Sequence, residues 1–228
     1  MRISVIIPTF NEAGLIGMLI KYLQQHSQLP SVEIIVSDGG STDNTIERAN
    51  IAGAVVILSP QKGRAAQMNY GATFAKGNIL YFVHADTFPP KTFATDITDA
   101  VNNNFSCGRY QTKFNSTKWI YKINAFFTRY DWFICYGGDQ TFFITKKLFD
   151  ELSGYNSSMQ IMEEYDLTDR AKQKARYKIF NKKTLISVRK YQGRSWLQVQ
   201  LANRKAIQLF KRGASQADIA TAYKKMLK

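Results

Sequence analysis

The chain has 228 residues, of which 45% are hydrophobic and 13% aromatic. This composition excludes an intrinsically disordered protein and predicts one large domain with a single core. Met1 and Arg2 lead directly into a short apolar run, unlike a secretory signal, and no apolar stretch of the sequence has the length of a membrane span. With only two cysteines, Cys107 and Cys135, both expected as buried thiols, we expect a cytoplasmic protein in a reduced compartment.

The net charge of +14 is concentrated near the C-terminal end. Residues 1–169 hold 14 Lys and Arg against 16 Asp and Glu, a net charge of −2. Residues 170–228 hold 17 Lys and Arg against a single acid, Asp218, a net charge of +16. Such a basic segment indicates an anionic lipid surface, a pyrophosphate-bearing substrate or nucleic acid as partner, or else a solvated surface that aids solubility.

The first ninety residues alternate short apolar runs with helical periods. We predict strands over residues 3–7, 33–37, 55–58 and 79–83, separated by helices over residues 15–23, 45–52 and 65–76. Gly77 stands where a left-handed helix cap belongs. Strands that alternate with helices in this way predict a parallel sheet with right-handed crossovers, in which ligands bind beyond the carboxyl ends of the strands.

The second half of the chain is less regular. Residues 114–136 are unusually aromatic, and they are followed by predicted elements: a strand over 141–145, a helix over 163–178, a strand over 184–188 and a basic amphipathic helix over 196–212. Gly213 is predicted to end that helix, and Ser215 with Asp218 resembles a capping box for a last one. The aromatic side chains are typical of a core, and equally of a wall that faces a carbohydrate or lipid.

Polar residues follow the predicted strands at the point where each strand ends. They are Pro-Thr-Phe-Asn-Glu at 8–12, Asp-Gly-Gly-Ser-Thr-Asp at 38–43, Lys-Gly-Arg at 62–64 and His-Ala-Asp-Thr at 84–87. Taken singly, Asn11 can cap a helix, Asp38 can form an Asx turn and Asp86 can cap a turn. Acids gathered at one sheet edge are costly, however, unless they hold a cation or accept hydrogen bonds from a ligand.

In order and spacing, these segments resemble glycosyltransferase family 2, whose catalytic domain has the nucleotide-diphospho-sugar transferase fold called GT-A. The resemblance is carried by residues 4–12, 35–45 and 63–72. It is closer still to the small subgroup associated with arsenosugar biosynthesis, through residues 84–87, 138–140, 162–164 and 189–190. It runs from residue 3 to about residue 225, nearly the whole chain.

The resemblance implies an α/β fold with a mostly parallel central sheet flanked by helices. We expect a GT-A catalytic domain over residues 1–190, with a nucleotide-binding half at 1–90 and an acceptor half at 91–190. A helical basic appendage is expected over residues 191–228.

The resemblance also implies a nucleotide-sugar donor, with UDP usual among relatives. The residues expected to bind the nucleotide are Pro8, Thr9, Asn11, Glu12, Asp38, Gly39, Arg64, Asn69 and Ala85. The Asp38 carboxylate would accept hydrogen bonds from the base or ribose. The guanidinium of Arg64 has the planar fork that suits diphosphate oxygens.

A divalent cofactor, Mn²⁺ or Mg²⁺, is implied at Asp86, which matches the last acid of the family's Asp-X-Asp metal motif. His84 stands where that motif has its first acid, and imidazole is a poor ligand for a hard cation. Either Asp86 holds the ion alone with phosphates and water, or metal dependence is weak. We keep His84 as a candidate ligand, beside the alternative of a strand-end histidine bonded to the backbone.

The family's usual inverting displacement needs a base that takes the proton of the acceptor hydroxyl. Relatives place it second in a Glu-Asp pair at the start of a helix, which here is Glu163-Glu164. Glu164 is our first candidate for the catalytic base and Asp139 the second, although a helix N-terminus also favours acids by itself. The acceptor-binding candidates are Gly138, Asp139, Gln140 and Glu163. The acceptor itself is open between a small metabolite, a lipid phosphate and a surface glycan.

Other functions fit the same residues less well. Residues 8–12 lack the Gly-rich signature of a nucleotidyltransferase and the Gly-X-Gly-X-X-Gly of a dinucleotide-dependent oxidoreductase. The sequence shows no nucleic-acid-binding module, so we expect no nucleic acid partner. A catalytically inactive binder of nucleotide sugars or lipid surfaces stays as the alternative, because of His84 and Glu164. The aromatic segment and basic end also suggest peripheral contact with an anionic membrane.

Overall fold

The fold is built on one mixed β-sheet. In a computed structural model, which describes residues 1–27, 32–137 and 140–227, the sheet has eight strands. They are β1 (Ile3–Thr9), β2 (Val32–Asp38), β3 (Val55–Leu58), β4 (Ile79–Phe82), β5 (Thr87–Phe88), β6 (Cys107–Phe114), β7 (Phe142–Thr145) and β8 (Tyr177–Ile186). Their spatial order is β3-β2-β1-β4-β7-β6-β8-β5.

Nine α-helices connect or cover these strands within the described residues. They are α1 (Ile16–His26), α2 (Thr45–Ile51), α3 (Arg64–Thr73), α4 (Phe93–Asn102), α5 (Trp119–Phe127), α6 (Lys146–Glu151), α7 (Glu163–Lys174), α8 (Trp196–Lys211) and α9 (Gln216–Met226). Short 3-10 turns occur at Phe133–Cys135 and Arg189–Tyr191. In the part of the chain that is described, no helix combines the length and apolar character needed to cross a bilayer.

The parallel part of the sheet sets the position of the site. Strand β1 pairs in parallel with both β2 and β4, and β3 continues the parallel arrangement beside β2. The pair of β6 and β8 is also parallel, whereas β7 runs antiparallel to β4 and β6, and β5 runs antiparallel to β8. The expected α/β architecture with a mostly parallel sheet is therefore confirmed, and the loops after β1, β2 and β4 meet at one edge.

Apolar residues cover both faces of the sheet. Along β1, Val5 belongs to the cluster that contains Leu19 of α1 and Phe93 of α4. Its neighbour Ile6 belongs to the opposite cluster, which contains Met68 of α3 and Leu167 of α7. Because successive side chains of a strand point to opposite faces, this continuous apolar run requires helices on both sides.

The C-terminal helices pack on the aromatic segment. Ile207 of α8 and Ile219 of α9 share an apolar cluster with Tyr136 and Tyr165. Gly213 has φ +71° and follows α8, as predicted. The Ser215 hydroxyl accepts from the backbone N–H of Asp218 at 3.2 Å, which confirms the predicted cap of α9. The basic end of the chain is thus folded onto the domain through buried apolar side chains.

Several predicted boundaries were wrong. Helix α3 ends at Thr73, and Gly77 is absent from the positive-φ residues described. A Cβ on Gly77 would lie 2.7 Å from the carbonyl oxygen of Arg2 and 2.7 Å from the hydroxyl of Ser4, so close approach to β1 requires glycine there. Helix α7 ends at Lys174 rather than 178, and the strand predicted over 184–188 is the end of the longer β8.

Candidate active site

The loop after β2 is shaped by a buried carboxylate. Asp38 has 0% exposure. One of its oxygens accepts from the hydroxyls of Thr9 and Ser41 at 2.9 and 2.6 Å, and the other from the backbone N–H of Gly40 and Ser41 at 2.9 and 2.7 Å. In this conformation Asp38 ties the loop after β2 to the end of β1. Direct contact with a nucleoside stays a prediction, and it requires some of these bonds to be exchanged.

Gln67, which the sequence pattern did not single out, fixes the spacing of the two strand ends. This buried side chain of α3 donates from Nε2 to the carbonyl of Thr9 at 2.7 Å and to that of Ser37 at 2.9 Å. A Cβ on Gly39 would lie only 3.0 Å from Cδ of Gln67, so glycine suits this position. Gln67 lies within the segment 63–72 that carried the resemblance, but its partners are 58 and 30 residues away.

Two predicted nucleotide-binding asparagines are engaged with the protein itself. Asn11 has φ +55°, and its Oδ1 accepts from the backbone N–H of Thr42 at 2.8 Å, which joins the first two loops. Asn69 donates from Nδ2 to the carbonyl of Tyr155 at 2.7 Å, and its Oδ1 accepts from the N–H of Tyr155 at 2.9 Å. Both therefore position loops, and their contact with a nucleotide stays a prediction.

The loops after β1 and β4 line a crevice of about 470 Å³, together with residues of α3 and of the segment after β8. Its lining includes the predicted residues Pro8, Thr9, Glu12, Arg64, Ala85, His84 and Asp86. Phe10 also lines it and is 50% exposed, with the Lys62 ammonium 5.7 Å from its ring centroid. An exposed aromatic face beside a cation in a crevice suits stacking by a planar base.

Arg189, which the sequence indicates only as part of the resemblance to the subgroup, also lines the crevice. The Nη1 and Nη2 atoms of Arg189 donate to Glu12 Oε2 and Oε1 at 2.7 and 2.6 Å, a bidentate pair. The same Nη2 lies 3.5 Å from Asp86 Oδ2. Arg194 lines the crevice as well. The crevice therefore presents arginines from the segment after β8 opposite the loops after β1 and β4.

The donor set beside Asp86 fits a divalent ion that is shared with a diphosphate. Within the described ranges, no three His, Cys, Asp or Glu side chains form a group that could hold a metal ion. Asp86 and Glu12 offer hard carboxylate oxygens on either side of Arg189. An ion such as Mg²⁺ is commonly held by one or two carboxylates with substrate phosphates and water, and this requires no dedicated cage.

His84 has a different neighbour from either of those expected. Its Nε2 lies 3.4 Å from Oε1 of Glu164, and its side chain is 14% exposed. The imidazole therefore contacts the acid pair, and its role as a metal ligand stays a prediction.

The acid pair begins α7 and carries opposed pKa shifts. Glu163 is 1% exposed, with Arg64 Nε 2.9 Å from its Oε1. Burial and the neighbouring charge of Glu164 raise the pKa of Glu163 to about 7. Burial also acts to raise the pKa of Glu164, but Arg64 and His84 outweigh it and hold that pKa below its usual value. Glu164 is therefore the ionised member of the pair at neutral pH.

Of the predicted acceptor residues, Glu163 belongs to this acid pair, whereas the other three lie apart from it or outside the described residues. Gln140 is 8% exposed, donates from Nε2 to the carbonyl of Cys135 at 2.8 Å and lines a different cavity. Gly138 and Asp139 lie outside the described residues, so the structure does not test Asp139, the second candidate for the base.

A crevice beyond the carboxyl ends of parallel strands, lined by arginines, acids and an exposed aromatic ring, is the place where α/β proteins typically bind their ligands. The model of the family described as Glycosyl transferase family 2 matches residues 4–165 of this chain. The chain belongs to this family, as its motifs predicted, while the closer resemblance to the arsenosugar-associated subgroup stays a prediction.

Individual relatives agree with this assignment. The chain is 31% identical over 96 residues to glucosyl-3-phosphoglycerate synthase of Mycolicibacterium smegmatis, a match that covers 39% of this chain and 32% of that protein. It thus matches only about a third of that relative's length. Among solved structures, S. aureus TarS 1–349 in complex with UDP-GlcNAc has a TM-score of 0.70 and 16% identity, and covers 100% of this chain and 72% of its own.

Glucosyl-3-phosphoglycerate synthase from Mycobacterium tuberculosis, in complex with Mn²⁺, UDP and glucosyl-3-phosphoglycerate, has a TM-score of 0.60 and 18% identity. The match covers 93% of this chain and 80% of the synthase chain. The fold is therefore the GT-A fold that the sequence predicted.

Proposed function

We propose that this protein transfers a sugar from a UDP-sugar to an acceptor hydroxyl with inversion, with a divalent ion as cofactor. The observation that carries the proposal is the position of Glu164. This ionised, mostly buried carboxylate starts α7 beside Arg64 and His84, both of which line the crevice. The complexes of structural neighbours with UDP-GlcNAc and with UDP and Mn²⁺ support the choice of donor and cofactor.

The nucleoside would lie over the loops after β1 and β2. Phe10 offers a face for the base, and Asn11 ties the loop that carries Phe10 to the loop after β2. The diphosphate would then reach Arg64, and Arg189 and Arg194 line the same crevice. A guanidinium group can bind two phosphate oxygens at once, through two parallel hydrogen bonds, and it keeps its positive charge at neutral pH.

Asp86 is the residue proposed to hold the divalent ion, with His84 kept as a candidate second ligand. When bound, the ion supplies neutralisation of the charge that develops on the departing diphosphate. For Asp86 to bind it, the guanidinium of Arg189, now 3.5 Å from Oδ2, would exchange its contact with Asp86 for one with a phosphate.

Glu164 is proposed as the base, and Asp139 stays the second candidate. The acceptor hydroxyl oxygen attacks the anomeric carbon, the bond from that carbon to the UDP oxygen breaks, and the hydroxyl proton moves to the Glu164 carboxylate. The His84 contact at 3.4 Å orients that carboxylate. Glu163 and Gln140 are proposed on the acceptor side, and the acceptor is a small molecule, a lipid or a glycan.

Peripheral contact with the cytoplasmic face of a membrane is part of the proposal. Trp119, Trp132 and Leu197 are 68%, 53% and 59% exposed, and the basic helix α8 carries the last of them. Aromatic side chains beside Lys and Arg suit an anionic interface. Co-sedimentation with vesicles of phosphatidylcholine and phosphatidylglycerol at low salt tests this contact, and a protein that stays in the supernatant would contradict it.

A thermal-shift measurement tests the donor site. UDP with Mn²⁺ is expected to raise the melting temperature, because a ligand that binds only the folded state stabilises it. Uridine with Mn²⁺ is the matched control and should give a smaller rise, since it lacks the diphosphate. If no nucleoside diphosphate raises the melting temperature, the proposed function is wrong.

A further inference from the structure

A second cavity, of about 390 Å³, lies between the aromatic segment and α8. Its walls are mainly apolar and include Phe114, Phe127, Trp132, Tyr136, Ile186 and Ile207. An apolar cavity of about 150 Å³ already accommodates benzene. This cavity therefore has room for an apolar group larger than one aromatic ring, and its aromatic walls suit a flat one.

Two polar atoms in the lining of this cavity have no hydrogen-bond partner among the described residues. They are the Oε1 of Gln140, a residue only 8% exposed, and the indole Nε1 of Trp196. One is an acceptor and the other a donor. Because buried polar atoms are nearly always paired, these two point to a ligand that carries a polar group as well as an apolar body.

A positive charge lies at the same cavity. Arg204 of α8 is exposed, lines the cavity and forms no ion pair with any described residue. Its neighbour Lys205 is also exposed but is not part of the lining. A guanidinium at the rim of an apolar cavity would attract an anionic group on the part of the ligand nearest solvent.

The cavity adjoins the crevice through two shared elements. In the first turn of α7, Glu164 contacts His84 of the crevice, whereas the next residue, Tyr165, lines the cavity. In the segment after β8, Arg189 and Arg194 line the crevice, whereas Tyr191 lines the cavity. Consecutive helical residues point about 100° apart, so one turn of helix can serve both sites.

We propose that this cavity binds the apolar body of the acceptor, a small amphiphile with a flat aromatic group and one anionic group that contacts Arg204. The polar group next to the ring bonds Gln140 and Trp196. The identification of this ligand as the acceptor rests on the proposed function, whereas binding in the cavity does not depend on catalysis.

Isothermal titration with 1-naphthyl phosphate, in the presence and absence of saturating UDP and Mn²⁺, tests the proposal. We expect one molecule bound per chain in both conditions, because the naphthyl group enters the cavity and leaves the crevice to UDP. Inorganic phosphate should bind at least about tenfold more weakly, since burial of a ring contributes more than one decade of affinity.

Two pairs of variants locate the ligand. Asn203→Trp fills the cavity from α8 and should weaken binding at least about tenfold, whereas Leu201→Trp, on the same helix but outside the lining, should leave it within about twofold. Arg204→Gln should weaken binding by about three- to tenfold, and Lys205→Gln should have little effect. Melting curves verify that each variant is folded.

The outcomes separate this proposal from the proposed function. Absence of 1-naphthyl phosphate binding, equal binding by Asn203→Trp and Leu201→Trp, or loss of binding when UDP saturates the crevice would each overturn the cavity proposal. UDP binding with no naphthyl phosphate binding would leave the proposed function standing. Naphthyl phosphate binding without any nucleotide binding would support the cavity and contradict the transferase.

Discussion

The two cavities of this molecule differ in their charged groups: acids and bases are paired at the crevice, whereas the other cavity is mainly apolar. In the crevice, Arg189 is hydrogen-bonded to Glu12, and Arg64 and His84 lie 2.9 and 3.4 Å from Glu163 and Glu164. In the apolar cavity, Gln140 Oε1 and Trp196 Nε1 have no partner among the described residues. A ligand of the crevice must therefore exchange ion pairs, whereas a ligand of the cavity gains contacts that the protein alone does not make.

This difference predicts how each site responds to solution conditions. Exchange of ion pairs makes affinity in the crevice depend on ionic strength, because exposed charges are screened within about 8–10 Å at physiological salt. Binding in the cavity depends mainly on apolar area removed from water, so salt should weaken it less, through the contact with Arg204 alone. Substitutions in the crevice test this exchange.

Glu164→Gln should reduce sugar transfer by about 100- to 10,000-fold, because the amide cannot accept the proton of the acceptor hydroxyl. UDP binding should be retained, since the substitution keeps the size of the side chain and its contact with His84. Release of UDP from a radiolabelled UDP-sugar measures turnover, and titration calorimetry measures binding.

Glu163→Gln is the matched control for that variant. The pKa of Glu163 is raised to about 7, so an amide resembles the protonated form that the folded protein already populates at neutral pH. We expect a smaller loss of turnover than for Glu164→Gln. Near-normal turnover by Glu164→Gln would assign the base elsewhere, first of all to Asp139.

Asp86→Asn should weaken the binding of Mn²⁺ in the presence of UDP by about 10- to 100-fold, because a charged ligand to a hard cation is lost. Electron spin resonance of Mn²⁺ reads the bound fraction independently of activity. His84→Asn is the comparison, and a change as large as that of Asp86→Asn would show that the imidazole is a ligand. Unchanged Mn²⁺ binding by Asp86→Asn would contradict the proposed metal site.

The crevice was predictable from sequence to a degree that the cavity was not. Its loops directly follow β1, β2 and β4, and each of these strands can be recognised from its own run of apolar residues. The strand β3, Val55–Leu58, was predicted with the observed bounds. Arg189, by contrast, meets Glu12 across 177 positions of the chain. Such a contact depends on how β8 joins the sheet, and β6, its parallel partner, was not predicted at all.

Helices α4, α5 and α6 were likewise not predicted, and the reasons for α5 and α6 differ. Helix α5 lies within the aromatic segment, where apolar residues cover almost every position and Tyr121 is the only buried member of the helix. The helical spacing of apolar residues cannot be recognised where most positions are apolar. Helix α6 has six residues, shorter than a periodic pattern needs.

The pH dependence of stability should reveal the buried acid pair. The pKa of Glu163 is raised from 4.5 to about 7 on folding, so between these values the folded state holds a proton that the unfolded state has released. Stability therefore falls as pH rises from about 5 to 7, by up to roughly 3 kcal/mol, because a tenfold change in proton affinity corresponds to about 1.36 kcal/mol. The lowered pKa of Glu164 acts in the opposite direction, but at lower pH, around and below 4.5.

Urea unfolding at pH 5, 6 and 7 measures this slope. In Glu163→Gln the decrease between pH 5 and 7 should be reduced, because the amide does not titrate. Glu151→Gln, at a side chain with 54% exposure, should keep the wild-type slope. Parallel slopes in wild type and Glu163→Gln would show that Glu163 titrates normally.

Gln67→Ala should give the smallest effect, a loss of about 1–3 kcal/mol in the free energy of unfolding, because two buried hydrogen bonds disappear. The carbonyl of Thr9 keeps the N–H of Gly39 as a partner at 2.9 Å, which limits the cost. Urea unfolding gives the loss, with the exposed Gln61→Ala as the control. Because Gln67 spaces the ends of β1 and β2, UDP affinity should fall as well, while 1-naphthyl phosphate affinity should not. Equal losses at both sites would mean that the two cavities are not structurally independent.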